Sequence, residues 1–160
     1  KKGVSSARNA GIRVVNTRNG IVLSATGGAL GRMLLPWKLG GGGPLAGGKQ
    51  WMSWISLDDE IYAIHHLMMN NQCEGAYNLT APNPSRQKTF SKTLGKVLRR
   101  PAIAPIPGFT MRILFGELAK PLLIEGQRVL PKRLKESGYE FTHMFCSHRY
   151  FYKIIMNKDN

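Results

Sequence analysis

The densest group of residues able to do chemistry lies between positions 40 and 60, in the run GGGGPLAGGKQWMSWISLDDE. Gly43, Gly48 and Lys49 have the G-x-x-x-x-G-K spacing with which backbone N–H groups and a lysine hold phosphates. Gln50 then stands where that motif places a Ser or Thr hydroxyl for magnesium, and the glycines precede a strand rather than joining strand to helix. The run therefore reads as a connecting or substrate loop. Asp58 and Asp59 are neighbours at a helix start and point about 100° apart, so they suit capping rather than paired general acid and base work. His65 and His66 are helix neighbours that cannot easily share a metal. Cys146 and His148 supply two ligands where a metal site needs more.

The elements that must position these groups follow from pattern. Trp51, Ser53 and Ile55 alternate with Met52, Trp54 and Ser56 on a short strand, so one tryptophan at most should face a cleft. Ser56 and Asp59 have the S-x-x-D spacing of a helix start, and Ile61, Ile64, Leu67 and Met68 follow at helical period to about Asn71. Upstream, the continuous runs 12–15 and 21–23, parted by a turn-like Arg18-Asn19-Gly20, suggest strands buried on both faces, as in a parallel sheet. A short helix with Ala29, Leu30, Met33, Leu34 and Trp37 is expected to be limited by Pro36.

Downstream, AYNLT at 76–80 reads as a strand, and Ser85 as the cap of a helix ending before Pro101. In that helix Lys88, Lys92 and Lys96, with Arg100 beyond them, are spaced by four, opposite Phe90, Leu94, Val97 and Leu98. The prolines of AIAPIP allow only an edge-like extended segment there. Short helices are expected over 109–115 and 118–124, then a last one over 127–137 with Pro131 near its start or at a kink and Gly138 as its stop. Residues 143–160 show neither helical period nor alternation and read as a poorly specified tail. Strands alternating with helices make the class α/β.

At 160 residues, 42% hydrophobic and 20% charged, the chain can bury a core. No apolar run approaches the ~20 residues of a membrane helix, and no secretory leader pattern opens the sequence. Cys73 and Cys146 are read as reduced thiols of a cytoplasmic protein. The net charge of +14 points to an anionic partner. Residues 86–100 hold six basic residues and no acidic one, a solvated face or an anion-binding one. No helix-turn-helix, zinc or aromatic-stacking pattern accompanies them, so sequence-specific nucleic-acid binding is unsupported.

Four separated strings carry a resemblance. NTRNGIVLSATGGALGRMLLPWKLGGGGPLAGGKQWMSWISLDDEIYAI, YNLTAPNP, TLGKVLRRPAIAPIPGF and GQRVLPKRLKESGYEF occur in that order, over about residues 10–142. They resemble the C-terminal half of the epimerase-like atypical short-chain dehydrogenase/reductases, including their small C-terminal domain. The resemblance implies the C-terminal part of an extended Rossmann-type NAD(P)-binding fold, without its N-terminal nucleotide-binding half. The 160 residues contain neither a strand-linked G-x-x-G-x-x-G fingerprint nor a Tyr-x-x-x-Lys pair.

By that resemblance, residues 1–84 form the end of the Rossmann-type domain, 85–142 a small substrate-side domain and 143–160 an atypical tail. Arg18, Gly20, Ile21 and Val22 would pass the nicotinamide end of an NAD or NADP cofactor, although Arg18 reads equally well as half of a structural salt bridge. Lys49, Gln50, Trp51, Ser53 and Trp54 would line a cleft for a small-molecule, nucleotide-sugar-like substrate. Ser56 stands where the family's Trp-Ile-His-Ile-Asp-Asp string has histidine, so the role of that imidazole is lost or moved. The implied activity is that of an NAD(P)-dependent epimerase/dehydratase-like oxidoreductase. This chain alone would be its inactive substrate-side half, with anion binding through helix 86–100 as the alternative.

Overall fold

A computed structural model describes residues 2–102 and 126–156. A first helix, α1 (Lys2–Asn9), leads to β1 (Val15–Asn19) and β2 (Ile21–Leu23). After α2 (Gly28–Lys38) and a glycine-rich loop closed by a 3₁₀ turn (Ala46–Gly48) come β3 (Trp51–Met52), β4 (Trp54–Ser56) and α3 (Leu57–Met69). β5 (Gly75–Leu79), β6 (Ser85–Arg86) and α4 (Gln87–Leu98) follow. Beyond residue 125 lie α5 (Lys132–Glu136) and α6 (His148–Met156). The expected segment 102–107 (bar Ala102) and the helices 109–115 and 118–124 fall outside the described residues.

β1 pairs in parallel with β5 from Val15 opposite Gly75 to Asn19 opposite Leu79. β2 pairs in parallel with β4 from Ile21 opposite Trp54 to Leu23 opposite Ser56. The chain thus changes neighbour at Gly20 rather than turning back. The Gly20 N–H donates to the Leu79 carbonyl at 2.9 Å and the next N–H, of Ile21, to the Ser53 carbonyl at 2.8 Å. A β-carbon on Gly20 would penetrate that Ser53 carbonyl oxygen and lie 3.0 Å from the Thr80 methyl. Only glycine lets the two segments approach so closely.

The expected α/β class is present, but the first strand is Val15–Asn19 rather than 12–15, so Arg18 and Asn19 are strand residues and not a turn, and its pattern is half-buried to exposed rather than buried on both faces. Trp54, Ile55 and Ser56 are all buried, because β4 is covered on both faces, so alternation holds only up to Ser53. Pro36 lies inside α2, close enough to its end for the helix to continue through Lys38. Ser85 belongs to β6, antiparallel to β3, and Arg86 occupies the N-cap of α4. The expected helix 127–137 is only Lys132–Glu136. Residues 126–131 form a strap, and Gly138 closes the helix at φ 85°. α3 carries its apolar period outward: Ile61 is 55% and Met68 65% exposed, while Asp59, Glu60, Ala63 and Leu67 are buried.

The tail is the largest correction. α6 buries Tyr150, Phe151 and Ile155 in the same core as Leu23, Trp37, Trp54, Phe90 and Leu94. Phe151 meets Phe90 edge-on at 5.1 Å, Tyr150 lies 5.5 Å from Trp54, and the Tyr150 hydroxyl donates to the Leu23 carbonyl at 3.0 Å. Residues at 150, 151 and 155 do share one helical face, but charged and aromatic neighbours at 149, 152 and 153 mask it in the sequence. The core therefore draws on all three expected segments.

Candidate functional site

A cleft of about 430 Å³ opens where the strand changes neighbour. It is lined by Arg18, Asn19, Gly20, Ile21, Trp51, Ser53, Asn78, Thr80, Gln127 and Val129. Asn19 and Asn78 stand at the carboxyl end of the β1–β5 pair, and open α/β sheets present ligands at such a switch. Ser53 anchors the opposite wall: its hydroxyl donates to the Gln127 carbonyl at 2.6 Å and accepts from the Val129 N–H at 2.8 Å. Thr80 donates to the Val129 carbonyl, Asn78 to the Leu130 carbonyl, and Arg133 to the Ala76 and Glu74 carbonyls. The strap thus runs antiparallel to β5. Gly126, at φ 58°, lets it cross Trp51, whose carbonyl a β-carbon there would strike.

The rim is cationic. The Arg86 guanidinium lies 3.8 Å from the Trp51 ring centre and donates to the Lys49 carbonyl, and the Arg128 guanidinium lies 5.1 Å from the same ring. Arg18 is exposed and has no hydrogen-bond or ion partner, which leaves the salt-bridge reading without a partner among the described residues. An indole near two arginines, beside an exposed guanidinium, suits an anionic ligand with a flat ring.

Of the residues expected at the site, Arg18, Gly20, Ile21, Trp51 and Ser53 meet in this cleft. Trp54 does not: it is fully buried and its indole N–H donates to the Asn83 carbonyl at 3.1 Å. Val22 packs instead against the second core cluster around Ile55, Leu67 and Tyr77. Lys49 is exposed beside the cleft, and the Gln50 side chain donates to the Leu45 carbonyl. Sequence reasoning missed Arg86, Arg128, Gln127 and Val129. Arg86 reaches Trp51 through the β3–β6 pairing, and the other three sit on the strap that pattern assigned to a helix.

A second polar centre lies at the start of α3. Ser56 caps the helix, accepting from the Asp59 N–H at 3.0 Å and donating to its carboxylate at 2.7 Å. That buried carboxylate also accepts from the Tyr139 hydroxyl, the Thr142 N–H and the His143 N–H. His143 Nδ1 comes to 3.5 Å, so the imidazole beside Asp59 arrives from the C-terminal segment rather than from position 56. Burial, then Asp59, pushes the Tyr139 hydroxyl above its ordinary range. Among the described residues no group of His, Cys, Asp and Glu could hold a metal.

Next to Asp59, Glu60 is 6% exposed and neither carboxylate oxygen has a hydrogen-bond partner. Burial raises its pKa from 4.5 to about 7. The folded state therefore binds the proton more tightly than the unfolded one, and stability falls as pH rises from about 4.5 to about 7. Full linkage would be about 3 kcal/mol, which partial hydration reduces to about 2 kcal/mol. Glu60→Gln should thus exceed the parent in stability by about 2 kcal/mol at pH 8 and match it near pH 4. Urea unfolding at both pH values checks this, and a difference independent of pH would contradict it.

This geometry has close counterparts. A domain of unknown function, DUF1731, matches residues 106–144. The chain is 42% identical over 144 residues to the chloroplastic epimerase family protein SDR39U1 homolog of Arabidopsis thaliana, covering 90% of this chain and 41% of that protein. It is 41% identical over 133 residues to the epimerase family protein YfhF of Bacillus subtilis, covering 83% and 43%. The crystal structure of human epimerase family protein SDR39U1 with NADPH superposes with a TM-score of 0.83 at 35% identity, over 91% of this chain and 49% of that one. The chain matches the C-terminal part of the epimerase family proteins. It spans about half the length of these relatives. The Thermus thermophilus UDP-glucose 4-epimerase complex with NAD shares the fold, with a TM-score of 0.70 at 14% identity, over 97% of this chain and 49% of that one. The fold is therefore that of the C-terminal part of the NAD(P)-binding, Rossmann-like epimerases. Among the described residues no helix is long and apolar enough to cross a membrane.

Proposed function

We propose that this chain is the substrate-side part of an NAD(P)-dependent, epimerase-like oxidoreductase acting on a nucleotide-sugar-like substrate. The observation that carries the reading is the cleft at the Gly20 strand switch, lined by Arg18 and Trp51, with the Arg86 and Arg128 guanidinium groups over the Trp51 ring. A diphosphate matches three guanidinium groups, and the indole offers a flat face to a base or sugar. The donor set also fits a nicotinamide cofactor along Arg18, Gly20 and Ile21, since glycine permits close backbone approach and Arg18 offers an unpaired guanidinium. When bound, such a cofactor supplies hydride transfer. The residues of this chain bind and orient. The described cleft holds no group placed to exchange a proton with a sugar hydroxyl by general acid/base work, so turnover by this chain alone is not expected.

The partner this reading requires is a nucleotide-binding half. Among the described residues β1 pairs with a strand on one side only, and beside it α3 exposes Leu57, Ile61, Tyr62 and Met68. A parallel strand added to β1, with a covering helix, would satisfy that edge and bury that face. The test of the cleft is titration of UDP into the chain. Binding should weaken at least tenfold in Trp51→Ala, the loss of a stacking face and its cation–π partners being worth about 1.5 kcal/mol or more. Equal affinity in parent and variant would contradict the assignment.

A second reading rests on α4, where exposed Lys88, Lys92 and Lys96 have no acidic partner among the described residues. If that face holds an anionic macromolecule, reversing the three charges should abolish salt-dependent binding to it while leaving UDP titration unchanged.

A further inference from the structure

Another cavity, of about 510 Å³, lies between the segment that Asp59 holds and α6. It is lined by Thr142, His143, Met144, Phe145, Ser147, Arg149, Tyr150 and Lys153. Arg149 and Lys153 are one helical turn apart on α6, so both face the same side, and neither has a hydrogen-bond or ion partner among the described residues. His143 adds an imidazole whose Nδ1 side is turned to Asp59 and whose ring lies 4.8 Å from that of Tyr150. Among the described residues no carboxylate lines the cavity. Asp59 lies behind His143, and Asp58 is near enough to the Tyr150 hydroxyl to act on it without lining the space. The lining also includes Met144, 51% exposed, and Phe145, 63% exposed, with Thr142 and with Ser147, whose hydroxyl accepts from the Tyr150 N–H at 3.2 Å.

We infer that this cavity binds an aromatic phosphate monoester, with the phosphate between Arg149 and Lys153 and the ring against Phe145. Two full positive charges without an acid between them are matched by a dianion, whereas a carboxylate would leave one unpaired. The arginine offers a fork to two phosphate oxygens and the lysine a point charge. Exposed Phe145 and Met144 gain most from an apolar, flat body, since their surface is otherwise left in water. The volume accommodates a ligand of this size with room for water. Nothing in the nucleotide-sugar reading uses these residues, so the two sites stand or fall separately.

Calorimetric titration of phenyl phosphate into the 160-residue chain tests the inference, with phenol and inorganic phosphate as controls. Phenyl phosphate should bind and phenol should not, and inorganic phosphate should bind at least fivefold more weakly. Replacing both cations (Arg149→Ala with Lys153→Ala) should weaken phenyl phosphate at least tenfold. Phe145→Ala should weaken it several-fold without affecting inorganic phosphate. All three side chains are exposed, so folding is retained, and a thermal transition verifies it. Because the cleft at Trp51 also suits an anionic ring, the titrations are repeated in Trp51→Ala, where the loss caused by Arg149→Ala with Lys153→Ala should persist. An unaltered affinity in the double variant, equal binding of phenol, or no heat from phenyl phosphate with the folded chain would overturn the site. Inorganic phosphate binding as tightly as the ester would overturn the aromatic assignment.

Discussion

Asp59→Ala should cost about 4 kcal/mol of folding stability and release the C-terminal segment first. The carboxylate is fully buried and holds the Ser56 hydroxyl, the Tyr139 hydroxyl and the Thr142 and His143 N–H groups. Removing a buried acceptor that serves several donors costs about 3–5 kcal/mol, because the buried donors lose their charged partner. Three of the four donors belong to residues 139–143, which lead into α6, so the loss propagates to Tyr150 and Phe151. Urea unfolding should show the drop, and limited proteolysis should cut near residue 144 in the variant before the parent. The His143→Ala control keeps its backbone N–H on Asp59 and should cost about 1 kcal/mol. A change below about 1 kcal/mol in Asp59→Ala would mean that the segment is held elsewhere.

Gly20→Ala should be almost as damaging, at about 3 kcal/mol, for a different reason. The added methyl would overlap a backbone oxygen, that of Ser53, and a backbone oxygen cannot swing aside as a side-chain end can. Relief requires separating the chain at Gly20 from the β3–β4 junction, which breaks the Ile21 N–H to Ser53 bond and shifts the Ser53 hydroxyl that holds the strap. Overpacking of a rigid site costs about 1–3 kcal/mol, and the lost hydrogen bond adds to it. Since Gly20, Ile21 and Ser53 all line the cleft, UDP binding should fall with stability. Thermal unfolding and UDP titration of the same variant check the pair, and a stable variant that binds UDP normally would contradict the close approach.

Much of the fold was legible because its signals are local. β2 and β5 are short β-rich runs, α3 begins with a serine cap three residues before an aspartate, and α4 shows one basic and one apolar face. The cleft was legible at Gly20, Trp51 and Ser53, where the family strings are continuous. What escaped depends on distance in sequence. Pairing of β3 with β6 brings Arg86 to Trp51 across 35 positions, and no pattern within either strand announces it. The strap 126–131 is set by Ser53, Asn78 and Thr80, side chains remote from it, so a helical assignment was reasonable locally and wrong globally. Trp54 illustrates the converse: its type suggested a ligand wall, but a parallel strand covered on both faces takes it into the core. α6 was missed because only positions 150, 151 and 155 are buried, too few for a period to show.

The proposal that this chain is the substrate-side part of a nicotinamide-dependent protein is tested most directly by supplying the other part. The N-terminal half of the human relative, whose structure contains NADPH, can be fused ahead of Lys1 and the product titrated with NADPH by fluorescence. The fused protein should bind NADPH, the 160 residues alone should not bind it measurably, and Arg18→Ala in the fusion should weaken binding several-fold. A folded fusion without affinity for NADPH, or equal affinity of the chain alone, would contradict the proposal.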